Sequence, residues 1–141
     1  MKYLLDTNIF LRFLVKENKK DYVECNKLFE EIDALKIEAI VTGMVLAEMS
    51  WVLGSYYKQK PDTIAEKLQG IIKMKGLTVV DDYDWISAVR IYSERKVKFV
   101  DAILATMPKV VSKEWVVVSY DEDFRKLRVL WKKPKDLYSL K

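Results

Sequence analysis

The chain contains no histidine, and this absence removes more chemistry than any other feature of the composition. Ser-His-Asp and Cys-His nucleophilic catalysis, histidine-paired ribonuclease chemistry and histidine-ligated zinc are all excluded. Cys25 is the only cysteine, so neither an internal disulfide nor a cysteine zinc site can form. Acid–base or metal chemistry must therefore run on carboxylates. Apolar runs stay well short of the roughly 20 residues of a membrane span. The first run is broken by Asp6 and Arg12, which is not the layout of a secretory leader. A cytoplasmic protein with no membrane partner is expected. Asn and Gln are scarce against abundant Lys and Glu, a composition associated with thermophilic sources. Low-complexity segments, internal repeats and linkers are absent, so residues 1–141 are expected to form a single domain.

What is present fits that expectation. A chain of 141 residues buries about two-thirds of its unfolded surface. Half of its residues are hydrophobic and a third are charged, as in ordinary globular domains. The net charge of +4 is unevenly spread: from Arg90 onward there are 13 Lys and Arg against 7 Asp and Glu. A basic C-terminal third suits a phosphate-backbone partner, and equally a solvated Lys-rich surface.

Hydrophobic spacing orders the elements. A short buried strand, residues 3–5, runs into Asp6-Thr7-Asn8, after which Ile9, Phe10, Phe13 and Leu14 have helical spacing through Lys16. A second helix is expected over Lys19 to Asp33, and a strand over Ile37 to Val41. Thr42 is then placed to cap a helix from Gly43 to Tyr57, whose nearly complete apolar circumference predicts extensive burial. Pro61 starts a helix reaching Met74. Leu77 to Val80 reads as a strand, Asp81 to Arg95 and Val100 to Met107 as helices, and Trp115 to Val118 as a wholly apolar strand. A short helix over Asp121 to Leu127 and an edge strand over Val129 to Trp131 close the pattern. Strands alternating with helices predict an α/β domain of three layers around a central, mainly parallel sheet.

Most acids lie among other charges, but four stand apart. Asp6, Glu48 and Asp101 are each the sole charge in an apolar stretch, and Asp121 follows the strand Trp115 to Val118 closely. Isolating a carboxylate this way costs several kcal/mol, on the order set by burial of an ion, unless a cation or good hydrogen bonds compensate. Asp6, Asp101 and Asp121 fall at strand ends or helix starts, where an open α/β sheet gathers its ligands. Each could instead be a helix cap worth about 1 kcal/mol, and Glu48 could pair with a buried Arg. Several carboxylates in one cleft repel unless a divalent cation neutralises them, and an oxygen-only set selects Mg²⁺ or Mn²⁺ over Zn²⁺.

The order Asp6-Thr7-Asn8, Glu48, Asp101-Ala102-Ile103-Leu104-Ala105 and Ser119-Tyr120-Asp121-Glu122-Asp123-Phe124 resembles the PIN domain. Within that family it is most similar to the compact VapC-type toxins of toxin–antitoxin pairs. The resemblance implies a three-layer α/β/α PIN-like nuclease domain that hydrolyses RNA with Mg²⁺ or Mn²⁺. It implies Asp6, Glu48, Asp101 and Asp121 as metal-binding, catalytic acids. Asn8 and Ser119 would support them, and Asp123 would reach the metal through water, its share against Asp121 left open. It further implies a homodimer and a small antitoxin partner.

Arg12, Arg95, Lys96, Lys98, Arg125 and Lys126 lie near these motifs in sequence and are candidate phosphate contacts. Trp51, Tyr56, Tyr57, Trp85 and Tyr92 could stack bases or build an interface, with core packing the reading adopted for most of them. Lys132-Lys133-Pro134-Lys135 reads as a solvated tail. A haloacid-dehalogenase-like phosphotransferase would need an acid where Asn8 stands. A receiver domain would need its acids clustered early and a late lysine. The remaining alternatives are a housekeeping PIN nuclease in RNA processing and a non-catalytic PIN module binding RNA or protein.

Overall fold

Five short strands form the central sheet of the computed structural model, which describes residues 1–137; the last four positions of the expected 1–141 unit lie outside the described residues. The strands are β1 (Lys2–Leu5), β2 (Ala39–Val41), β3 (Leu77–Val79), β4 (Trp115–Val118) and β5 (Trp131–Lys132). Every pairing is parallel and the order is β3-β2-β1-β4-β5, so the sheet is wholly rather than mainly parallel. Strands buried on both faces read as continuous apolar runs. That is why Val116, Val117 and Val118 carry no polar alternation and are all buried.

Seven helices connect the strands: α1 (Thr7–Leu14), α2 (Lys19–Asp33), α3 (Gly43–Ser55), α4 (Pro61–Ile72), α5 (Trp85–Arg95), α6 (Phe99–Leu104) and α7 (Pro108–Val111). Two 3-10 helices, Glu122–Leu127 and Pro134–Leu137, follow β4 and β5. From β1 the chain moves outward through β2 to β3, then returns across the sheet to β4. Right-handed crossovers place the helices of the outward leg on one face and those of the return leg on the other. The reversal lies between β1 and β4, so the crevice at their carboxyl ends is the topological switch point. Leu4, Leu5, Phe10, Leu28, Ile40, Met49, Leu104 and Phe124 fill the core. Among the described residues no helix is long and apolar enough to cross a membrane.

Local signals explain most boundaries. The Thr42 hydroxyl accepts from the Val45 amide at 3.1 Å, and Pro61 occupies the first turn of α4. At Gly76 an added Cβ would stand 2.1 Å from the Ile32 carbonyl oxygen, so only glycine lets β3 approach α2 this closely. Helix α5 begins at Trp85 rather than at Asp81. Asp81 is engaged elsewhere, accepting from the Gly43 amide at 2.8 Å and from the Tyr83 hydroxyl, while Asp84 caps the helix through the Ser87 amide. The helix expected over Val100 to Met107 stops at Leu104, and Pro108 opens a further short helix. The edge strand falls at Trp131–Lys132, one to two residues later than expected, where it registers with Val117 and Val118.

The expectation of core packing for the aromatics is overturned. Trp51 and Tyr56 are 69% and 70% exposed, Trp85 and Tyr92 are about half exposed, and Tyr57 is partly buried. In α3 only Val45, Met49 and Leu53 are buried, against an expectation of extensive burial. An apolar helix circumference states that water is unfavourable there; it does not say whether the same chain or another molecule covers the surface.

Candidate active site

The carboxyl end of β1 places Asp6 at the switch point. Its backbone amide is tied to the Val118 carbonyl of β4 at 3.0 Å. Its side chain caps α1, accepting from the Thr7 amide at 2.8 Å, while the second oxygen accepts from the Ser119 hydroxyl at 2.7 Å and the Asn8 amide at 3.3 Å. Asn8 also donates to Ser119 Oγ at 3.0 Å and accepts from the Tyr120 amide at 3.1 Å. The Ser119 hydroxyl in turn accepts from the Asp121 amide at 2.9 Å. Asn8 and Ser119 therefore join the ends of β1 and β4 and fix the orientation of Asp6.

Glu48 reaches the same cleft from α3, where its Oε1 accepts from the Thr7 hydroxyl. Asp101 enters from α6 and is 2% exposed. Asp6, Glu48, Asp101 and Lys98 line a cleft of about 190 Å³. Asp121 caps the 3-10 helix by accepting from the Asp123 amide at 2.9 Å. Its Oδ2 lies 3.6 Å from the Lys98 ammonium. Asp101, Asp121 and Asp123 each present an oxygen within 4.8 Å of the others, so these three could hold a metal ion. Asp123 thus stands among the acids and is not remote from them, with Lys126 3.2 Å from its Oδ1.

Electrostatics separate the acids. Burial pushes Asp6 upward and Glu48 and Asp121 add to the effect, against the lowering hydrogen bonds from Ser119 and Thr7. Asp101 is pushed up to about 8, first by burial and then by Asp6 and its hydrogen bond to Asp121. Asp121 is held below the ordinary carboxylate value: burial opposes this, but the Asp123 amide, Asp101 and Lys98 outweigh it. The opposed shifts of Asp101 and Asp121 are those expected of neighbouring carboxyls that cannot both ionise cheaply. Asp101 Oδ2 is buried and has no hydrogen-bond partner among the described residues. An all-oxygen donor set with one orphaned buried oxygen suits a hard divalent cation.

The basic candidates separate widely. Lys98 stands at the cleft, whereas Arg12 pairs with Asp21 at 3.4 Å beside an adjoining cavity. Arg125 pairs with Glu122 at 3.0 Å and lies over the Trp131 ring. Arg95 and Lys96 end α5, and both are exposed. Thr7 carried no role in the sequence reading, although a hydroxyl beside the first acid was the available signal. Tyr120 was also missed: its hydroxyl donates to Glu24 Oε1 at 2.9 Å and lies 3.6 Å from Cys25 Sγ. Glu24 and Cys25 adjoin in α2, 96 and 95 positions from Tyr120.

Residues 3–130 match the family model of the PIN domain. The chain is 30% identical over 126 residues to a VapC ribonuclease of Aquifex aeolicus (strain VF5), covering 88% of this chain and 90% of that one. A crystal structure of a protein from Pyrobaculum aerophilum shares the fold at a TM-score of 0.67 and 16% identity, over 99% of this chain and 94% of that chain. The VapBC2 complex of Rickettsia felis, solved bound to a DNA fragment from their promoter, shares it at 0.64 and 18% identity, over 94% and 98%. With the strand order, the cleft and the family match in agreement, the chain belongs to the PIN domain family.

Proposed function

We propose that this protein is an endoribonuclease that hydrolyses RNA phosphodiester bonds with Mg²⁺ or Mn²⁺, and that it is the toxin of a VapBC-type pair. The observation that carries the reading is the orphaned, buried oxygen of Asp101 in a cleft shared with Asp6 and Glu48. Asp6, Glu48, Asp101 and Asp121 are the residues we assign to hold the cation, with Asp123 beside them. A bound divalent cation would supply a Lewis acid for the phosphate and lower the pKa of an attacking water.

The chain's own groups prepare that chemistry. Ser119, Asn8 and the Thr7 amide hold Asp6 in one orientation, and the Thr7 hydroxyl does the same for Glu48. Lys98, at the rim, offers an ammonium to a substrate phosphate. Arg12, Arg95, Lys96 and Arg125 are weaker candidates for the RNA backbone. Attack by water does not need the RNA 2′-hydroxyl as nucleophile, which agrees with a chain lacking histidine.

The relative from Aquifex aeolicus supports the RNA substrate, and the Rickettsia felis complex supports a small antitoxin partner. A homodimer is supported by the exposed apolar face of α5, where Trp85, Ile86, Val89 and Tyr92 recur at helical spacing. We place the protein in the cytoplasm and treat residues 1–141 as one domain.

The test compares wild type and Asp6→Asn on a mixed RNA pool, with Mg²⁺ and with EDTA. Cleavage only by wild type and only with the metal is expected. Equal cutting by both proteins, or cutting unaffected by chelator, defeats the assignment. Toxin status is read separately, as growth arrest on expression that a co-expressed small neighbouring protein relieves.

A further inference from the structure

A second cavity opens beside the acids. It measures about 280 Å³ and shares the lining residues Asn8, Leu11 and Val52 with the acidic cleft, so the two adjoin. Away from the acids its walls are Arg12, Glu17, Tyr56 and Tyr57. Tyr56 lies just past the end of α3, with a ring that is 70% exposed and meets the Tyr57 ring edge-on at 4.8 Å and 79°. The Tyr57 hydroxyl donates to Glu17 Oε2 at 2.7 Å, which fixes that carboxylate. Arg12 is held through its Nε, 3.4 Å from Asp21 Oδ2. Among the described residues, no other hydrogen bond or ion pair occupies the terminal nitrogens of Arg12 or Oε1 of Glu17.

A flat exposed ring, a fixed carboxylate and a fixed guanidinium are thus gathered around one cavity beside the acidic cleft. Single-stranded RNA is read by stacking splayed bases on aromatic rings and hydrogen-bonding their edges. A carboxylate only accepts, so it selects a base edge that presents donors. Guanine alone offers two adjacent donors, N1–H and the N2 amino group, together with acceptors at O6 and N7. Adenine and cytosine each set one amino donor beside a ring acceptor, which a carboxylate repels. Uracil sets its single donor between two acceptors. Glu17 and Arg12 together therefore match guanine's pattern and oppose the other three. The shared lining of Asn8, Leu11 and Val52 sets the cavity beside the cleft, which favours a nucleotide of the substrate over an unrelated ligand.

Resting on the reading of the chain as a ribonuclease, we propose that this cavity is a guanine-selective subsite for a nucleotide next to the cut. The base stacks on Tyr56, its N1–H and N2 amino group donate to Glu17, and Arg12 donates to O6 or N7. The assignment makes Glu17 and Tyr56 determinants of specificity in a reaction whose acids lie elsewhere.

The test maps cleavage sites in a randomised RNA pool with Mg²⁺, and in parallel titrates GMP and AMP while following the tyrosine ring resonances by NMR. Guanine is expected at one fixed offset from the cut. Glu17→Gln is expected to lower that preference about tenfold, and Tyr56→Ala to remove it while Tyr56→Phe retains it. Glu17 and Tyr56 are exposed, and circular dichroism checks that the variants fold. GMP is expected to shift the Tyr56 and Tyr57 signals more than AMP does, with Glu17→Gln removing the difference. Cut sites without base preference, or a preference that survives both Glu17→Gln and Tyr56→Ala, overturn the proposal. So does a result in which both substitutions leave the cut sites unchanged but weaken inhibition by a protein partner. Failure of wild type to cut any RNA defeats the ribonuclease reading instead. The nucleotide titration then decides the subsite alone, and equal or absent shifts with GMP and AMP overturn it.

Discussion

Replacing Asp101 by Asn in the chelated protein is expected to stabilise the fold, and to do so only as pH rises. The substitution keeps the side-chain volume, and the new amide can donate toward Asp121 as the protonated carboxyl does. In wild type the carboxyl titrates from 3.8 in the unfolded chain to about 8 when folded. Between those values the folded state holds a proton that the unfolded state has released. Stability therefore falls as pH rises through that window, with the loss absent below about pH 4 and complete above about pH 8. Each pKa unit corresponds to about 1.4 kcal/mol, which sets a ceiling of about 6 kcal/mol. Water entry and relaxation of the open cleft reduce this to an expected gain of about 1–3 kcal/mol near pH 8.5.

Urea denaturation followed by circular dichroism in EDTA, at pH 4.5 and pH 8.5, measures the difference directly. The two proteins should nearly coincide at the lower pH and separate at the higher. Added Mg²⁺ should then stabilise wild type by mass action and do little for the variant. A variant that is less stable than wild type at pH 8.5, or a difference that does not change with pH, would refute the reasoning. Such an outcome would mean that the Asp101 environment tolerates the ion without a cation.

Four further outcomes follow from the same contacts. Ser119→Ala removes the hydroxyl that links Asp6, Asn8 and the Asp121 amide, so chemical denaturation should show a loss of about 1–3 kcal/mol. Gly76→Ala places a methyl group 2.1 Å from a backbone oxygen; a loss of about 2–4 kcal/mol is expected, visible as a lower melting temperature. Asp84→Ala deletes the cap of α5 and should cost about 1 kcal/mol by the same measurement. Cys25 is fully buried and burial pushes its thiol up to about 12. A thiol reagent at pH 8 should therefore leave it untouched in the native protein and modify it promptly in urea.

The α/β class and the isolation of the acids were legible in sequence because each rests on a local signal, whereas the PIN likeness came from the order of motifs along the chain. The wholly apolar run Trp115 to Val118 could only be a covered strand, and Asp6 could only sit where β1 ends. Isolation in an apolar stretch marked Glu48 and Asp101 because a carboxylate taken from water needs compensation whatever partners the fold later brings. Boundaries failed where a distant partner intervened: Asp81 was withdrawn from α5 by the Gly43 amide, 38 residues away.

Other features were decided only by the folded arrangement. The return of the chain across the sheet brings Ser119 to Asp6 across 113 positions, and the pairing of β1 with β2 lets Thr7 hold Glu48. It also sets Asp123 beside Asp101, a closeness that spacing along the chain could not reveal. The exposed rings of Trp51, Tyr56 and Trp85 were the plainest error, because hydrophobicity reports what avoids water and not which molecule does the covering. Sequence determined which groups need compensation, since burial energies belong to residue types. Tertiary structure decided which groups compensate one another, since that depends on distances set only when β1 and β4 lie side by side.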